Sequence, residues 1–524
     1  MASPDRTGHI RMTKSKNLYL ALADGFPADR TTTALDVPGN GLTSFAALED
    51  ASARIAALLL DLGVKPGDRV MAQVEKSPQA VFLYLACLRA GAIYLPLNTA
   101  YREAELDYFM GDAEPSVIVC EPARAETIGA LAARHGAPHV LTLGGTGNGT
   151  LIERSRGFEP SSKIVEVGAD DIAAICYTSG TTGRSKGAML SHGNLESNAR
   201  TLHKLWGFVP GDVLLHALPI FHVHGLFVAL HCALLNGSTV IFLPRFDADE
   251  MVRRMPDATV MMGVPTFYVR LLAHKDFTRD ICHRMRLFIA GSAPLLAETF
   301  AEFEARTGHR VLERYGMTEA GMVTSNPYEG ERRPGAVGPA LPGVQVRIAD
   351  AEGKILAPGE VGVLEFKGPN VFKGYWRMPE KTAEEFRGDG FFVSGDLATL
   401  DEDGYVTIVG RAKDLIISGG FNVYPKEVEG FIDELEGVGE SAVIGLSHPD
   451  FGEAVTAVVT PADQAAKPDE AVIIGTLKGR VAGFKVPKRV FVVDALPRNA
   501  MGKVQKNLLR DRYAETFSAT APTG

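Results

Sequence analysis

Cysteine is scarce in this sequence. The 524 residues include five cysteines (Cys87, Cys120, Cys176, Cys232 and Cys282), which are far apart and lie in mostly apolar surroundings. Their number is odd and no CxxC pair occurs, so a disulfide framework is not expected. The pattern predicts reduced, buried thiols in a cytosolic protein, and we expect a cytoplasmic location.

Long apolar runs are also missing. The most apolar stretch, residues 80–97, is interrupted by Arg89, Gly91 and Pro96, which favours a helix followed by a buried strand over a membrane span. The first sixteen residues are polar and basic, without the apolar segment of a secretory signal. We therefore expect no membrane association, and a disordered N-terminus over residues 1–16.

An excess of positive charge is absent as well. The net charge is −9, whereas proteins that bind nucleic acid generally present a basic surface. The apolar and charged fractions, 46% and 22%, are those of an ordinary globular protein. The length predicts about three to four domain-sized units.

Apolar periodicity predicts an α/β protein. Helical and strand patterns alternate from Phe45 to about Ala290, which is typical of parallel sheets with helices on their faces. From about Gly338 short alternating strands dominate and predict a β-rich subdomain. The segment Gly410–Asp414 then leads to a smaller terminal unit with its own α/β pattern.

A glycine-rich stretch, Tyr177–Gly187, follows the apolar run Ile172–Tyr177. Three glycines permit close approach of backbone to a ligand. Lys186 adds a positive charge, and hydroxyl donors come from Thr178, Ser179, Thr181 and Thr182. Such a loop suits phosphate binding. It does not match the GxxxxGK[ST] P-loop, and a plain surface turn between strand and helix is the alternative.

Four further stretches carry polar groups that suit a nucleotide site: Glu313–Glu319, Gly291–Leu295, Ser394–Asp396 with Gly410–Arg411, and Pro497–Lys503. A carboxylate beside a hydroxyl suits Mg²⁺ held together with substrate phosphates. Each stretch also has a simpler reading. Thr318 and Glu319 fit a helix N-terminus, Pro294 fits the first turn of a helix, the aspartate and arginine fit a surface ion pair, and Lys503 fits a solvated lysine.

In this order and spacing, the five stretches resemble the acyl-CoA synthetase and adenylation-domain superfamily of adenylate-forming, AMP-binding enzymes, which includes firefly luciferases. The resemblance extends from about Thr43 to Arg510. Ser185 is a departure, because many members have proline before the motif lysine. The resemblance implies a large N-terminal domain of αβ-layered subdomains plus a β-rich subdomain (17–412), and a small mobile C-terminal α/β domain (413–524).

The resemblance also implies the reaction and its site. ATP activates a carboxylate to an acyl-adenylate, pyrophosphate leaves, and coenzyme A takes the acyl group. The implied ATP-binding residues are Thr178, Ser179, Gly180, Thr181, Thr182, Gly183, Lys186, Gly291, Ser292, Ala293, Pro294, Glu313, Arg314, Tyr315, Gly316, Met317, Thr318, Asp396, Arg411 and Lys503. Among these, the implied catalytic residues are Lys503, Thr318, Glu319 and Lys186, with Glu319 binding Mg²⁺.

Within that set, Lys186 and the glycine-rich stretch would hold the β- and γ-phosphates, and Lys503 would bridge the attacking carboxylate and the α-phosphate. Lys413 matches the family's hinge, about which the terminal unit would swing before thioester formation. The implied coenzyme A-binding residues are Ser418, Gly419, Gly420 and Phe421.

The acid is predicted from the stretch Leu218–Phe227. Together with residues elsewhere in the chain, this stretch forms the acyl-binding set that the resemblance implies: His222, His224, Arg286, Ser292, Gly316 and Met317. A guanidinium suits a second carboxylate, so Arg286 is expected to clamp it. The run His222–Phe227, with Arg184–His192, looks most like malonyl-CoA synthetases.

We therefore predict a malonate–CoA ligase, with methylmalonate as a weaker substrate. The same-class alternative is a short- or medium-chain or aryl-acid ligase. The different-class alternative is a stand-alone adenylation module that loads a carrier protein, which the lack of a following Asp-Ser-Leu attachment site disfavours. A lysine acetyltransferase acting on Lys503 is an expected partner, and the oligomer is left open between monomer and dimer.

Overall fold

The computed structural model describes residues 16–178, 185–418, 421–448, 451–481, 483–499 and 502–517. The N-terminus that was expected to be disordered lies outside these residues, except for Lys16.

The strands follow the predicted alternation with sharper bounds. They are β1 Thr33–Val37, β2 Gly41–Ser44, β3 Arg69–Gln73, β4 Ile93–Pro96, β5 Val117–Cys120, β6 His139–Thr142, β7 Ile172–Thr178, β8 Lys186–Ser191, β9 Val213–His216, β10 Thr239–Phe242, β11 Val260–Gly263, β12 Leu287–Ala290, β13 Leu312–Met317, β14 Gly321–Ser325, β15 Gln345–Ala349, β16 Gly362–Lys367, β17 Phe392–Leu400, β18 Val406–Arg411, β19 Ile416–Ser418, β20 Phe421–Val423, β21 Val438–His448, β22 Gly452–Pro461 and β23 Arg489–Val492.

The α-helices lie between these strands. They are α1 Leu18–Asp24, α2 Phe45–Asp61, α3 Pro78–Ala90, α4 Glu103–Ala113, α5 Ala125–Arg134, α6 Thr150–Ser155, α7 His192–Leu205, α8 His231–Asn236, α9 Ala248–Arg254, α10 Pro265–Leu272, α11 Ala297–Thr307, α12 Pro379–Glu384, α13 Pro425–Asp433, α14 Glu470–Lys478 and α15 Lys506–Tyr513. A π-helix, His224–Leu230, precedes α8.

Two large sheets form the N-terminal part. One has the order β6-β5-β3-β4-β7-β8 and the other β14-β13-β12-β11-β9-β10-β1-β2. Their inner strands pair in parallel, which places the carboxyl ends of β9, β11, β12 and β13 at one edge. Ligands of open α/β sheets bind outside such an edge. The predicted α/β fold class is confirmed by this architecture.

The β-rich subdomain is an antiparallel sheet, β15-β16-β17-β18, as predicted. The terminal unit has its own sheet, β20-β19-β22-β21 with β23 beside β22. Its apolar core includes Ile416, Val428, Val443 and Val455. A separate core of this kind supports a unit that moves as a body.

The simpler reading of Thr318 and Glu319 as a helix N-terminus is wrong, because they lie in the turn between β13 and the antiparallel β14. The first five residues of the motif Glu313–Glu319 belong to β13. Lys186 begins β8, paired with Thr178 across the glycine-rich stretch.

Candidate active site

The glycine-rich stretch is anchored at both ends by α4. The Tyr177 hydroxyl donates to Asp112 Oδ2 at 2.5 Å, and the Tyr108 hydroxyl donates to the Ser185 carbonyl oxygen at 2.8 Å. Thr178 ends β7. The predicted phosphate-binding residues 179–183 lie outside the described residues, so their placement is not stated.

Lys186 faces a carboxylate rather than open solvent. Its Nζ lies 2.7 Å from Glu385 Oε1 and 4.1 Å from the centre of the Tyr375 ring. The Tyr375 hydroxyl lies 2.6 Å from Glu385 Oε2 and 3.0 Å from Glu319 Oε1. A single tyrosine therefore connects the predicted phosphate-binding lysine with the predicted metal ligand.

Glu319 is suited to hold a divalent cation together with phosphates. Its carboxyl group is buried, and burial raises its pKa. A bound cation would lower that pKa again, because it stabilises the charged carboxylate. Among the described residues, no group of three or more His, Cys, Asp or Glu is arranged for a metal. One buried carboxylate fits Mg²⁺, which usually takes one or two carboxylates and completes its shell with substrate phosphates and water.

Asp396 and Arg411 meet on neighbouring strands. They are paired in register across β17 and β18, and Arg411 Nε lies 3.1 Å from Asp396 Oδ1. Tyr315 donates its hydroxyl to Asp396 Oδ2 at 2.5 Å. Sequence reasoning placed the aspartate and arginine together, and Tyr315 joins them to β13.

Lys503 of the terminal unit lies among these same groups. Burial lowers its pKa to about 8, with Arg411 and Lys413 adding to the decrease and Asp396 opposing it. The neighbouring Gly502 packs on the start of α10, since an added Cβ would lie 3.2 Å from Thr266 Oγ1. The structure thus brings Lys503 into the surroundings of Asp396 and Arg411.

The predicted acyl segment follows β9 and faces the end of β12. His224 is buried, and its Nδ1 lies 3.2 Å from Ser292 Oγ. His222 Nδ1 accepts from the His224 backbone N–H at 3.2 Å. Burial lowers the pKa of both histidines, with Arg314 contributing, and His222 reaches about 4. Both rings are neutral at physiological pH.

Arg314 is the cation beside these histidines. It is buried on β13, and burial lowers its pKa to about 9. Its guanidinium packs against Gly291, where an added Cβ would lie 2.3 Å from Nη1. Within the described part of the chain, Arg314 Nε, Arg314 Nη2 and His224 Nε2 are buried without a hydrogen-bond partner. Unsatisfied buried donors of this kind indicate a ligand position.

Ser292, which contacts His224, has a strained backbone conformation. Its φ is 71°, in the left-handed region that non-glycine residues rarely adopt. Strain of this kind costs about 1–3 kcal/mol and persists where the surroundings enforce it, often at functional sites. Here it accompanies the Ser292–His224 contact.

The prediction that Arg286 lies with His222 and His224 is wrong. Arg286 precedes β12, whereas the site lies beyond the carboxyl end of that strand. It forms a bidentate ion pair with Asp212, 2.7 Å from Nε to Oδ1, and its guanidinium lies over the rings of Phe208 and Tyr328. Arg314, which the resemblance includes in the site, is instead a buried cation beside His222 and His224.

Arg286→Ala is therefore expected to affect stability and leave acid preference unchanged. The variant leaves the 2% exposed Asp212 carboxylate without its cation, which should cost about 3 kcal/mol. Thermal unfolding of Arg286→Ala, compared with the exposed neighbour Arg284→Ala, measures this effect. A changed ratio of malonate to acetate activity would contradict this prediction and indicate that Arg286 contacts the acid.

The remaining predicted nucleotide residues surround β13. Glu313 is buried, its Oε1 accepts from the Gly335 backbone N–H at 2.9 Å, and burial raises its pKa to about 7. Gly316 must be glycine, because an added Cβ would lie 2.0 Å from the Gly321 carbonyl oxygen. The other members, Ala293, Pro294, Met317 and Thr318, are half-buried or exposed.

Two of the predicted coenzyme A residues, Ser418 and Phe421, lie in the terminal sheet. Ser418 is buried at the end of β19, and Phe421 is 57% exposed and stacks on Phe484. Gly419 and Gly420 lie outside the described residues. Lys413 lies in the short 3₁₀ turn Ala412–Asp414 between β18 and β19, in agreement with a connection between the two units.

Sequence reasoning missed Tyr375 and Glu385. They come from the β-rich part of the chain, and no spacing links them to the glycine-rich stretch. The resemblance includes Arg314 in the site, but no spacing in the sequence indicates that it lies beside His222 and His224.

Two protein-family models match the chain. The AMP-binding enzyme model matches residues 23–376, and the model of the AMP-binding enzyme C-terminal domain matches residues 427–503. The chain belongs to the AMP-binding enzyme family. The resemblance proposed from the five motifs is thereby confirmed.

Several relatives of this family member are similar over most of their length. A malonate–CoA ligase from Arabidopsis thaliana is 37% identical, over 86% of this chain and 78% of the relative. A feruloyl-CoA synthase from an Amycolatopsis species is 38% identical, over 92% of this chain and 96% of the relative. ATP-bound MatB from Rhodopseudomonas palustris is 56% identical with a TM-score of 0.94, over 96% of this chain and 100% of that one.

The same MatB in its apo form gives a TM-score of 0.82 at the same identity and coverage. The arrangement of this chain is therefore more similar to the ATP-bound structure than to the apo structure. The position of Lys503 beside Asp396 and Arg411 agrees with that arrangement. In the described ranges, no helix has both the length and the apolar character needed to cross a bilayer.

Proposed function

We propose that this AMP-binding enzyme is a malonate–CoA ligase. It converts malonate, ATP and coenzyme A into malonyl-CoA, AMP and pyrophosphate through a malonyl-adenylate. Methylmalonate is a weaker substrate. The similarity to a malonate–CoA ligase and to MatB supports this assignment.

The buried donors of Arg314 and His224 are the observation that best supports a dicarboxylic acid as the substrate. Three of their polar atoms have no partner among the described residues, and an uncompensated buried charge is costly. A carboxylate placed against Arg314 satisfies the guanidinium with charge-assisted hydrogen bonds. Monocarboxylic acids leave these donors unpaired, so they are poor substrates.

His224 contributes a neutral donor to the same carboxylate. When the Ser292 hydroxyl donates to His224 Nδ1, the ring carries its proton on Nε2, the atom without a partner. The lowered pKa of His224 keeps the ring uncharged. The second carboxylate of malonate is thus held at Arg314 and His224, while the first points to Lys503 and the α-phosphate.

Adenylation joins two anions, so positive charge is needed where negative charge accumulates. Lys503 supplies it at the attacking carboxylate and the α-phosphate, and Asp396 with Arg411 holds the ribose hydroxyls. Lys186 and residues 178–183 hold the departing pyrophosphate. Bound at Glu319, with Thr318 beside the phosphates, Mg²⁺ would neutralise phosphate charge.

Thioester formation uses a second arrangement of the same chain. The unit 413–524 swings about Lys413 relative to 17–412 after pyrophosphate leaves. The swing removes Lys503 from the site. It brings residues 418–421 to the pantetheine arm of coenzyme A. The separate core of the terminal unit supports this movement.

The proposal is tested by supplying single acids with ATP and coenzyme A and measuring AMP release. Malonate should give the highest kcat/KM, methylmalonate a lower one, and acetate, butyrate and ferulate values lower by about 10⁴. A ferulate or fatty-acid preference would assign the chain to another ligase of the family. AMP release that requires a carrier protein instead of coenzyme A would make it an adenylation module.

Adenylation should fall as the pH rises through about 8. The pKa of Lys503 is lowered to about 8 by burial and by Arg411, so its charged form is lost above that pH. The pH profile of kcat/KM for malonate reports this group in the free enzyme. In Lys503→Arg the guanidinium stays charged, so the fall in kcat/KM above about pH 8 should disappear. If the fall remains unchanged, a group other than Lys503 causes it.

Acetylation of Lys503 would remove the same charge permanently. A lysine acetyltransferase acting on Lys503 would therefore inactivate the first half-reaction. Mass spectrometry of acetylated protein, paired with adenylation rates, tests this. Full adenylation with Lys503 quantitatively acetylated would refute it.

A further inference from the structure

Lys186 already has an anionic partner in the site. Its Nζ lies 2.7 Å from Glu385 Oε1, and the two side chains are only 12% and 20% exposed. The Tyr375 ring packs against the same ammonium group, with its centre 4.1 Å from Lys186 Nζ. The charge expected to hold the β- and γ-phosphates is thus neutralised by a carboxylate of the protein.

Glu385 is also provided with contacts that do not depend on Lys186. Its Oε1 lies 3.4 Å from Lys381 Nζ, and its Oε2 accepts from the Tyr375 hydroxyl at 2.6 Å. If Lys186 moved to another anion, Glu385 would keep a cation and a hydrogen-bond donor. Breaking the pair therefore does not leave a buried carboxylate uncompensated, which is the usual cost of such a break.

We propose that Glu385 is a positioning residue that holds Lys186 in the nucleotide-free site and exchanges it for the β- and γ-phosphates of ATP. This inference rests on the proposed function, because it assumes that Lys186 binds those phosphates. The exchange keeps the lysine oriented, which lowers the entropy lost on binding. It also gives Lys186 a partner again when pyrophosphate leaves, so Glu385 favours release of that product.

Glu385→Gln removes the competing charge but keeps the size of the side chain and an oxygen for Tyr375. We expect it to bind Mg–ATP and Mg–pyrophosphate about two- to fivefold more tightly, the upper range for a partly exposed ion pair. Calorimetric titration without acid or coenzyme A measures both affinities. Glu384→Gln is the matched control: it makes the same charge change one residue away, on a 65% exposed side chain that pairs with Lys381, and should change neither affinity.

A double-mutant cycle shows whether Glu385 acts through Lys186. In a Lys186→Met background, Glu385→Gln should no longer tighten ATP binding. In the otherwise wild-type enzyme, Glu385→Gln should lower the KM for ATP and leave the KM for malonate unchanged, which a general loss of structure would not do.

Three results would overturn the inference. They are weaker ATP binding by Glu385→Gln, an effect equal to that of Glu384→Gln, and a tightening that persists without Lys186. Failure of the wild-type protein to bind ATP at all would instead contradict the proposed function. The two failures are therefore distinguishable.

Discussion

Lys503→Ala should lower the rate of malonyl-adenylate formation about 10³-fold, the upper range for loss of a single transition-state contact. Lys503 lies beside Asp396 and Arg411 in this arrangement of the terminal unit. Thioester formation from supplied malonyl-adenylate should change less than about threefold, because in the proposed second arrangement Lys503 has left the site.

Single-turnover assays of each half-reaction separate the two effects. Lys478→Ala, an exposed lysine on α14 of the same unit, provides the control and should leave both steps intact. Equal loss in both half-reactions would contradict the role assigned to Lys503.

Arg314→Met should lower kcat/KM for malonate about 10³-fold, the effect of removing one partner from a buried charge pair. Methionine fills the space beside Gly291 without the charge. Acetate and butyrate, which present no second carboxylate, should lose less than about tenfold or gain. Arg314→Lys should recover only part of the malonate activity, since an ammonium group lacks the two-pronged geometry of a guanidinium.

Arg286→Ala is the matched comparison, because it removes an arginine from the other end of the same parallel sheet. It should lower the unfolding temperature and keep the preference for malonate. A malonate preference that survives Arg314→Met and disappears in Arg286→Ala would reverse the assignment made from the structure.

The contrast between these two arginines shows what the sequence could and could not reveal. Arg286 directly precedes β12 and Arg314 lies within β13, and both suit a carboxylate by chemistry alone. Only the direction of β12 decides between them: Arg286 lies before Leu287, at the amino edge, whereas the site forms beyond Ala290. The rule that ligands bind at carboxyl ends would have excluded Arg286.

Other parts of the site were predictable because their contacts follow chain neighbours or strand register. Asp396 and Arg411 are opposite each other on adjacent antiparallel strands, and periodicity predicted both strands. The partnership of Lys186 with Glu385 was not predictable, because 199 residues separate them and only tertiary packing brings them together.

Local patterns also failed where the chain turns back on itself. Thr318 and Glu319 carry the residue types of a helix start, yet Gly316 approaches Gly321 so closely that β13 turns into an antiparallel β14. That turn buries Glu319 beside Tyr375. Tertiary packing thus overrode the local preference at the residue expected to hold the metal.

In the proposed function, the buried Arg314 guanidinium and the neutral His224 ring select a dicarboxylic acid for activation. A competition assay tests it most directly: equal concentrations of malonate, methylmalonate, acetate, butyrate and ferulate, with ATP, Mg²⁺ and coenzyme A, and all thioesters measured by mass spectrometry at low conversion. Malonyl-CoA should dominate, with methylmalonyl-CoA second. A product mixture dominated by acetyl-, butyryl- or feruloyl-CoA would contradict the account.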